Sequence, residues 1–150
     1  MDALLAAIEA SPPAAALRAS FYAYPLVNAA HVLAVGGLVL AVLLLDLRFL
    51  GAFGAVGRAP FAALMRRVAL ALFCLAVVTG LALFSVQARD YAANPAFLAK
   101  LVLIAAAVAN FLLLAPRADA PISAGGRAGA GISLLLWPAV LVAGRFIGFV

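Results

Sequence analysis

Four apolar runs, each about as long as a bilayer-crossing helix, constrain this chain more than anything else in it. They fall at about residues 26–45, 68–86, 97–115 and 132–150. At 1.5 Å of rise per residue such a run reaches ~30 Å, the thickness of a hydrocarbon core. A backbone in lipid must satisfy its own polar groups, so each run is expected to be a helix. Composition agrees, since 69% of the 150 residues are hydrophobic and 10% are charged, against about a quarter charged in soluble domains. The sequence therefore predicts an all-α fold: a four-helix transmembrane bundle, one integral membrane domain over residues 1–150.

The first twenty residues lack the features of a secretory signal, because Asp2 and Glu9 stand where a positive region belongs and Pro12-Pro13 interrupts a weak apolar stretch. Asp2 is placed to cap a short amphipathic helix carrying Leu4, Leu5 and Ile8, which Pro12-Pro13 ends and which lies at the interface. Phe21, Tyr22 and Tyr24 follow as an aromatic anchor at headgroup level. Pro25 suits the first turn of the first span, and Asp46-Leu-Arg48 closes that span. Gly51, Gly54, Gly57 and Pro60 punctuate the next loop, with Arg66 and Arg67 snorkelling at the base of the second span. A polar linker with Arg117, Asp119, Pro121, Gly125 and Gly126 leads to the fourth span, which Pro138 is expected to kink. Small residues four apart recur in every span, as in Gly37 and Ala41 or Gly144 and Gly148, and permit close helix approach.

The net charge of +5 does not describe a nucleic-acid footprint, because the basic residues are spread over short loops. There they act as topology signals. Arg48, Arg58, Arg66, Arg67, Arg117 and Arg127 fall on one side, and Arg18, Arg89, Lys100 and Arg145 on the other. The positive-inside rule puts the first set in the cytoplasm and both termini in the periplasm of a bacterial inner membrane.

Polar residues at membrane depth are the candidates for function. His31, the single histidine, lies ~8 Å below the outward edge of the first span, with Asn28 on the same face. Lys100 lies ~5 Å and Arg145 ~8 Å below the same edge. Together with Tyr24 these residues outline a polar pocket open to the periplasm, with His31 and Asn28 as its floor. The competing account has Lys100 and Arg145 snorkelling separately and His31 hydrogen-bonded to a neighbouring helix. Asp90 is expected to pair with Lys100 or Arg89 at the surface, and Asn110 to bond across helices; Tyr91 and Trp137 read as ordinary membrane aromatics.

Absences narrow the chemistry. Asp2, Glu9, Asp46, Asp90 and Asp119 all fall outside the middle of the spans, so no carboxylate relay is expected. His31 is the sole residue suited to a metal, and neither a closed metal site nor a bis-histidine haem can be completed from one chain. The lone Cys74 says nothing about redox compartment. No nucleophile, base and acid stand in a catalytic pattern.

Tyr24-Pro25 with His31, Asp46-Leu-Arg48-Phe-Leu-Gly51, Thr79-Gly80, and Asn94-Pro-Ala-Phe97-Leu-Ala-Lys100 with Asn110 resemble a family of uncharacterised four-helix bacterial inner-membrane proteins. The likeness runs from about Ser20 to Asn110. The early histidine and the Asn-Pro-x-Phe-x-x-Lys entry to a later helix are also similar, more distantly, to the copper-resistance D-type membrane proteins. That second resemblance implies copper handling with His31 as a ligand, but additional histidines and a methionine-rich segment are missing.

The expectation is thus a non-enzymatic membrane protein whose outward pocket binds a small ligand, metal ion or protein partner. One alternative is the anchor subunit of a redox or copper-handling complex, with haem b or copper shared through His31 of a homodimer. The other is a purely structural bundle in the lipid bilayer.

Overall fold

A computed structural model describes residues 1–116 and 119–149. Arg117 of the charge count and the end of the fourth span at residue 150 lie outside the described residues. Seven helices follow one another among those residues: α1 (Asp2–Glu9), α2 (Pro12–Ala19), α3 (Ala23–Leu50), α4 (Arg58–Val86), α5 (Ala88–Ala93), α6 (Pro95–Leu114) and α7 (Ala124–Phe146). The fold is all-α. α3, α4, α6 and α7 are each long and apolar enough to cross a membrane, which makes this a multi-pass membrane protein.

The helix ends differ from the sequence expectation, and local chemistry explains each difference. α3 does not stop before Asp46 but runs through Arg48 to Leu50. Gly51 is the residue that can adopt φ 114°, and its N–H and that of Ala52 return to the carbonyls of Arg48 and Leu47. Arg48 then closes the following loop by donating from Nε and Nη2 to the Val56 carbonyl, at 3.1 and 2.7 Å. α6 starts where Asn94 Oδ1 accepts from the Phe97 N–H, with Pro95 in the first turn.

α7 departs furthest. It begins at Ala124 rather than near residue 132, because Ser123 Oγ accepts from the Gly126 N–H at 3.1 Å and caps the helix there. Gly125 and Gly126 therefore belong to a helix, not to a linker. At the far end α7 stops at Phe146, which puts Arg145 in its last turn instead of a turn and a half deep. Pro138 sits inside this one continuous helix.

The N-terminal stretch also differs. Met1 is the N-cap of α1, and Asp2 lies in its first turn. Pro12-Pro13 not only follows the end of α1 but opens a second short helix, since Ser11 takes an extended N-cap conformation and proline fits the first helical positions. α1 and α2 rest against the C-terminal end of α4 and against α5. Arg18 Nη2 donates to the Val86 carbonyl at 2.8 Å and caps the end of α4. Glu9 forms an ion pair of 2.7 Å with Arg89, so Arg89 takes Glu9 as its ion-pair partner and not Asp90. The two bonds from Arg89 hold the Glu9 carboxyl below its ordinary value of 4.5.

α3 is the central helix, packed against α4 on one side and α7 on the other, while α6 packs on α7. Among the described residues α4 and α6 make no close backbone contact, so the bundle has a seam between them. One buried cluster joins Leu38, Val39, Ala107 and Trp137. Trp137, read as an ordinary membrane aromatic, is a core residue, edge-on to Phe73 at 6.4 Å. A second cluster at the arginine-rich end joins Leu45, Phe49, Ala62 and Ala130. Leu33, Leu70, Leu113 and Leu135 point outward with most of their surface uncovered, as a lipid-facing surface requires.

Candidate functional site

The polar side chains of the bundle gather in two layers, one toward each end. In the layer at the end where α3 begins, α3 carries His31 and α4 carries Thr79, with His31 Nδ1 and Thr79 Oγ1 3.0 Å apart. Thr79 Oγ1 also lies 2.7 Å from the Leu75 carbonyl, one turn earlier in its own helix. With the threonine hydrogen on that carbonyl, the imidazole donates from Nδ1, an arrangement in keeping with the further hydrogen bond of the ring to the Ala76 backbone. The neutral ring then keeps its lone pair on Nε2. Gly80 makes room for the ring: a Cβ at that position would come 3.0 Å from His31 Cε1.

Lys100, near the start of α6, is half-buried and folds across α7, where a Cβ on Gly144 would meet its Nζ at 3.3 Å. His31, Thr79 and Lys100, from α3, α4 and α6, thus lie in one layer at the same end of the bundle. Two other residues of the expected pocket do not join it. Asn28 is exposed. Arg145 is exposed as well, with its guanidinium 4.4 Å from the Phe149 ring.

Tyr24 is half-buried at the same end and hydrogen-bonds Tyr91. Tyr91 is more than an interfacial aromatic, because its ring packs with Phe84 and with Phe97 at 5.5 Å. Burial, helped by Tyr24, pushes its phenol above the ordinary 10.0. Asn94 Nδ2 donates to the Ile147 carbonyl and ties the start of α6 to the end of α7.

The second layer was not foreseen as a site. A cavity of about 260 Å³ lies toward the arginine-rich end, walled by all four long helices. Asp46, Arg66, Asn110 and Ser133 reach it from α3, α4, α6 and α7 in turn. Asp46 is not a surface topology marker but 6% exposed, with the Ser133 hydroxyl bonded to its carboxyl. Arg66 does not snorkel outward. It donates to the Pro116 carbonyl and lies over the Phe49 ring, whereas Arg67 beside it is exposed. Asn110 makes the expected interhelical bond, from Nδ2 to the Gly129 carbonyl at 3.0 Å.

Asp46 and Thr79 are the residues that sequence reasoning missed as site members. Leu45, Phe49 and Leu50 continue the helical apolar spacing around Asp46 up to Gly51, a signal that the helix carries the acid inward. Thr79 offers a weaker one, a hydroxyl beside glycine near the depth of His31. Comparison with family models, curated proteins and solved structures finds no match for this chain.

Proposed function

We propose that this four-span membrane protein is non-enzymatic and binds a small ligand at its outward end through His31 and Lys100. What supports this reading is a half-buried His31, fixed by the bond between Nδ1 and Thr79 Oγ1 that the competing account also expects, in one layer with a half-buried Lys100. An imidazole anchored through one nitrogen has a single direction left in which to bind, and a half-buried ammonium, that of Lys100 on α6, lies toward the same end of the bundle. A cation in that layer favours a ligand with anionic oxygens over a bare metal ion. A short carboxylate or inorganic phosphate has such oxygens to accept from Lys100 Nζ. The excess of arginine at the opposite end orients this site and both termini toward the periplasm of a bacterial inner membrane. The resemblance to four-helix inner-membrane proteins between about Ser20 and Asn110 agrees with that assignment.

The test is thermal unfolding of the purified protein in detergent, with acetate, succinate and inorganic phosphate as probes. At least one probe should raise the midpoint by several degrees, and both His31→Ala and Lys100→Met should abolish the rise. Midpoints that no probe moves, or that move equally in the variants, overturn the reading.

The fixed Nδ1 also supports a second reading, since metal-ligating histidines are held through their other nitrogen. Among the described residues no cluster of three His, Cys, Asp or Glu completes a metal site. Haem b or copper would have to bridge His31 of two copies in a redox or copper-handling complex. Purified dimer with a visible absorption band or stoichiometric copper supports this; colourless, copper-free protein ends it.

A further inference from the structure

The cavity at the arginine-rich end has a chemistry different from that of the His31 layer. Leu38, Val42, Phe73, Phe111 and Trp137 make its walls mostly apolar. Against those walls stand three buried polar atoms that lack any hydrogen-bond partner: Asp46 Oδ2, Asn110 Oδ1 and Arg66 Nε. A buried, unpartnered polar atom costs about 1–3 kcal/mol, and more when it is charged. Two of them, Asp46 Oδ2 and Asn110 Oδ1, are acceptors on one cavity and call for a donating ligand; Arg66 Nε is a donor that such a ligand does not serve.

Their chemistry says which kind. Asn110 Nδ2 is engaged by the Gly129 carbonyl, so the amide is fixed with Oδ1 left as an acceptor. Ser133 serves the Asp46 carboxyl without reaching Oδ2. Among the described residues no Lys or Arg lies at ion-pair distance from Asp46. Arg66 directs its guanidinium to the Pro116 carbonyl and the Phe49 face instead. An unpaired carboxylate and an amide oxygen are two acceptors, which an ammonium with its three donors can serve together.

Size and access define the remainder of the ligand. An apolar cavity of about 150 Å³ holds a benzene ring, so about 260 Å³ has room for a ring and a short aminoalkyl arm. α4 and α6 both line the cavity yet make no close backbone contact. Entry through this seam is entry from the bilayer, which selects molecules that partition there.

We infer that this interior cavity binds a lipophilic primary amine, with Asp46 as counter-ion, Asn110 Oδ1 as second acceptor and the apolar walls around its hydrocarbon part. The site is separate from the His31 layer. On α3 alone, fifteen residues and ~22 Å of helix divide Asp46 from His31.

The experiment uses the full chain in lipid nanodiscs and calorimetric titration with three probes of one shape: phenethylamine, phenethyl alcohol and hydrocinnamate. The amine should bind roughly tenfold or more tightly than the alcohol, the margin of one charge-assisted hydrogen bond. Asp46→Asn, nearly isosteric, should erase that preference. Equal binding of amine and alcohol means an apolar void only, and overturns the inference. Preference for hydrocinnamate means that Arg66 governs the cavity, and overturns it too, as does amine binding unchanged in Asp46→Asn or no binding at all. Should Asp46→Asn fail to fold, the three probes on the natural sequence still decide.

Discussion

His31 and Thr79, 3.0 Å apart, show why one half of a membrane hydrogen bond is legible in sequence and the other half is not. A lone histidine in an apolar run is expensive in lipid, so it stands out. Threonine is cheap there, because its hydroxyl can bond back to the carbonyl one turn earlier, as Thr79 does to Leu75. Only the fold reveals that the hydroxyl's remaining lone pairs serve the imidazole. Thr79→Val keeps the shape and removes this acceptor, leaving the ring its bond to the Ala76 backbone alone. It should lower stability in detergent by about 1–2 kcal/mol, while Thr79→Ser should retain most of it; denaturant titration of both variants makes the comparison.

Among the helices, α7 is the one whose sequence was most misleading. Its glycines look like punctuation because glycine weakens a helix by about 1 kcal/mol relative to alanine. Yet a Cβ on Gly129 would lie 2.6 Å from Leu114 Cβ and 2.9 Å from the Leu114 carbonyl oxygen. Gly129 is there so that α6 and α7 can approach, and the same approach lets Asn110 reach the Gly129 carbonyl. Gly131, two residues on, has nothing within 4 Å of its would-be Cβ. Gly129→Ala should therefore destabilise by about 1–3 kcal/mol through overpacking against backbone. Gly131→Ala should be neutral or stabilising by up to about 1 kcal/mol. Thermal midpoints of the two single variants test this, and equal effects would refute the packing role of Gly129.

For the molecule as a whole, the arrangement among the described residues is a row, α4–α3–α7–α6, curled enough to wall a cavity, with α4 and α6 meeting at one end through the stacked rings of Phe84 and Phe97. The N-terminal helices lie across the end where α3 begins, held by Arg18 at the end of α4 and by the Glu9–Arg89 pair. That pair sets a pH response. Because the Glu9 carboxyl is depressed in the folded protein, its contribution is present above the ordinary 4.5 and fades as pH falls through the lower folded value. The pair is exposed on the Arg89 side, so the consequence is local detachment of α1, not loss of the bundle. Hydrogen exchange of α1 should speed up from pH 6 to pH 3 relative to α3, and Glu9→Gln should show the faster exchange already at pH 6. Rates that keep a constant ratio to α3 would remove the clip from the account.

Four spans and an all-α bundle were determined by the sequence alone, because crossing a bilayer depends on the summed transfer free energy of consecutive residues. That sum needs no knowledge of neighbours. The first turn of α6 begins at Pro95 with Asn94 as its cap, ahead of the expected start near residue 97. Tertiary structure decided which polar groups face inward. Whether Asp46 lies at a surface or inside a cavity depends on where Gly51 lets α3 end and on what α4, α6 and α7 set opposite it. Whether Arg145 joins His31 depends on α7 beginning at Ala124 and ending at Phe146. Solvation of a charge is set by its surroundings in three dimensions, and those surroundings come from other helices.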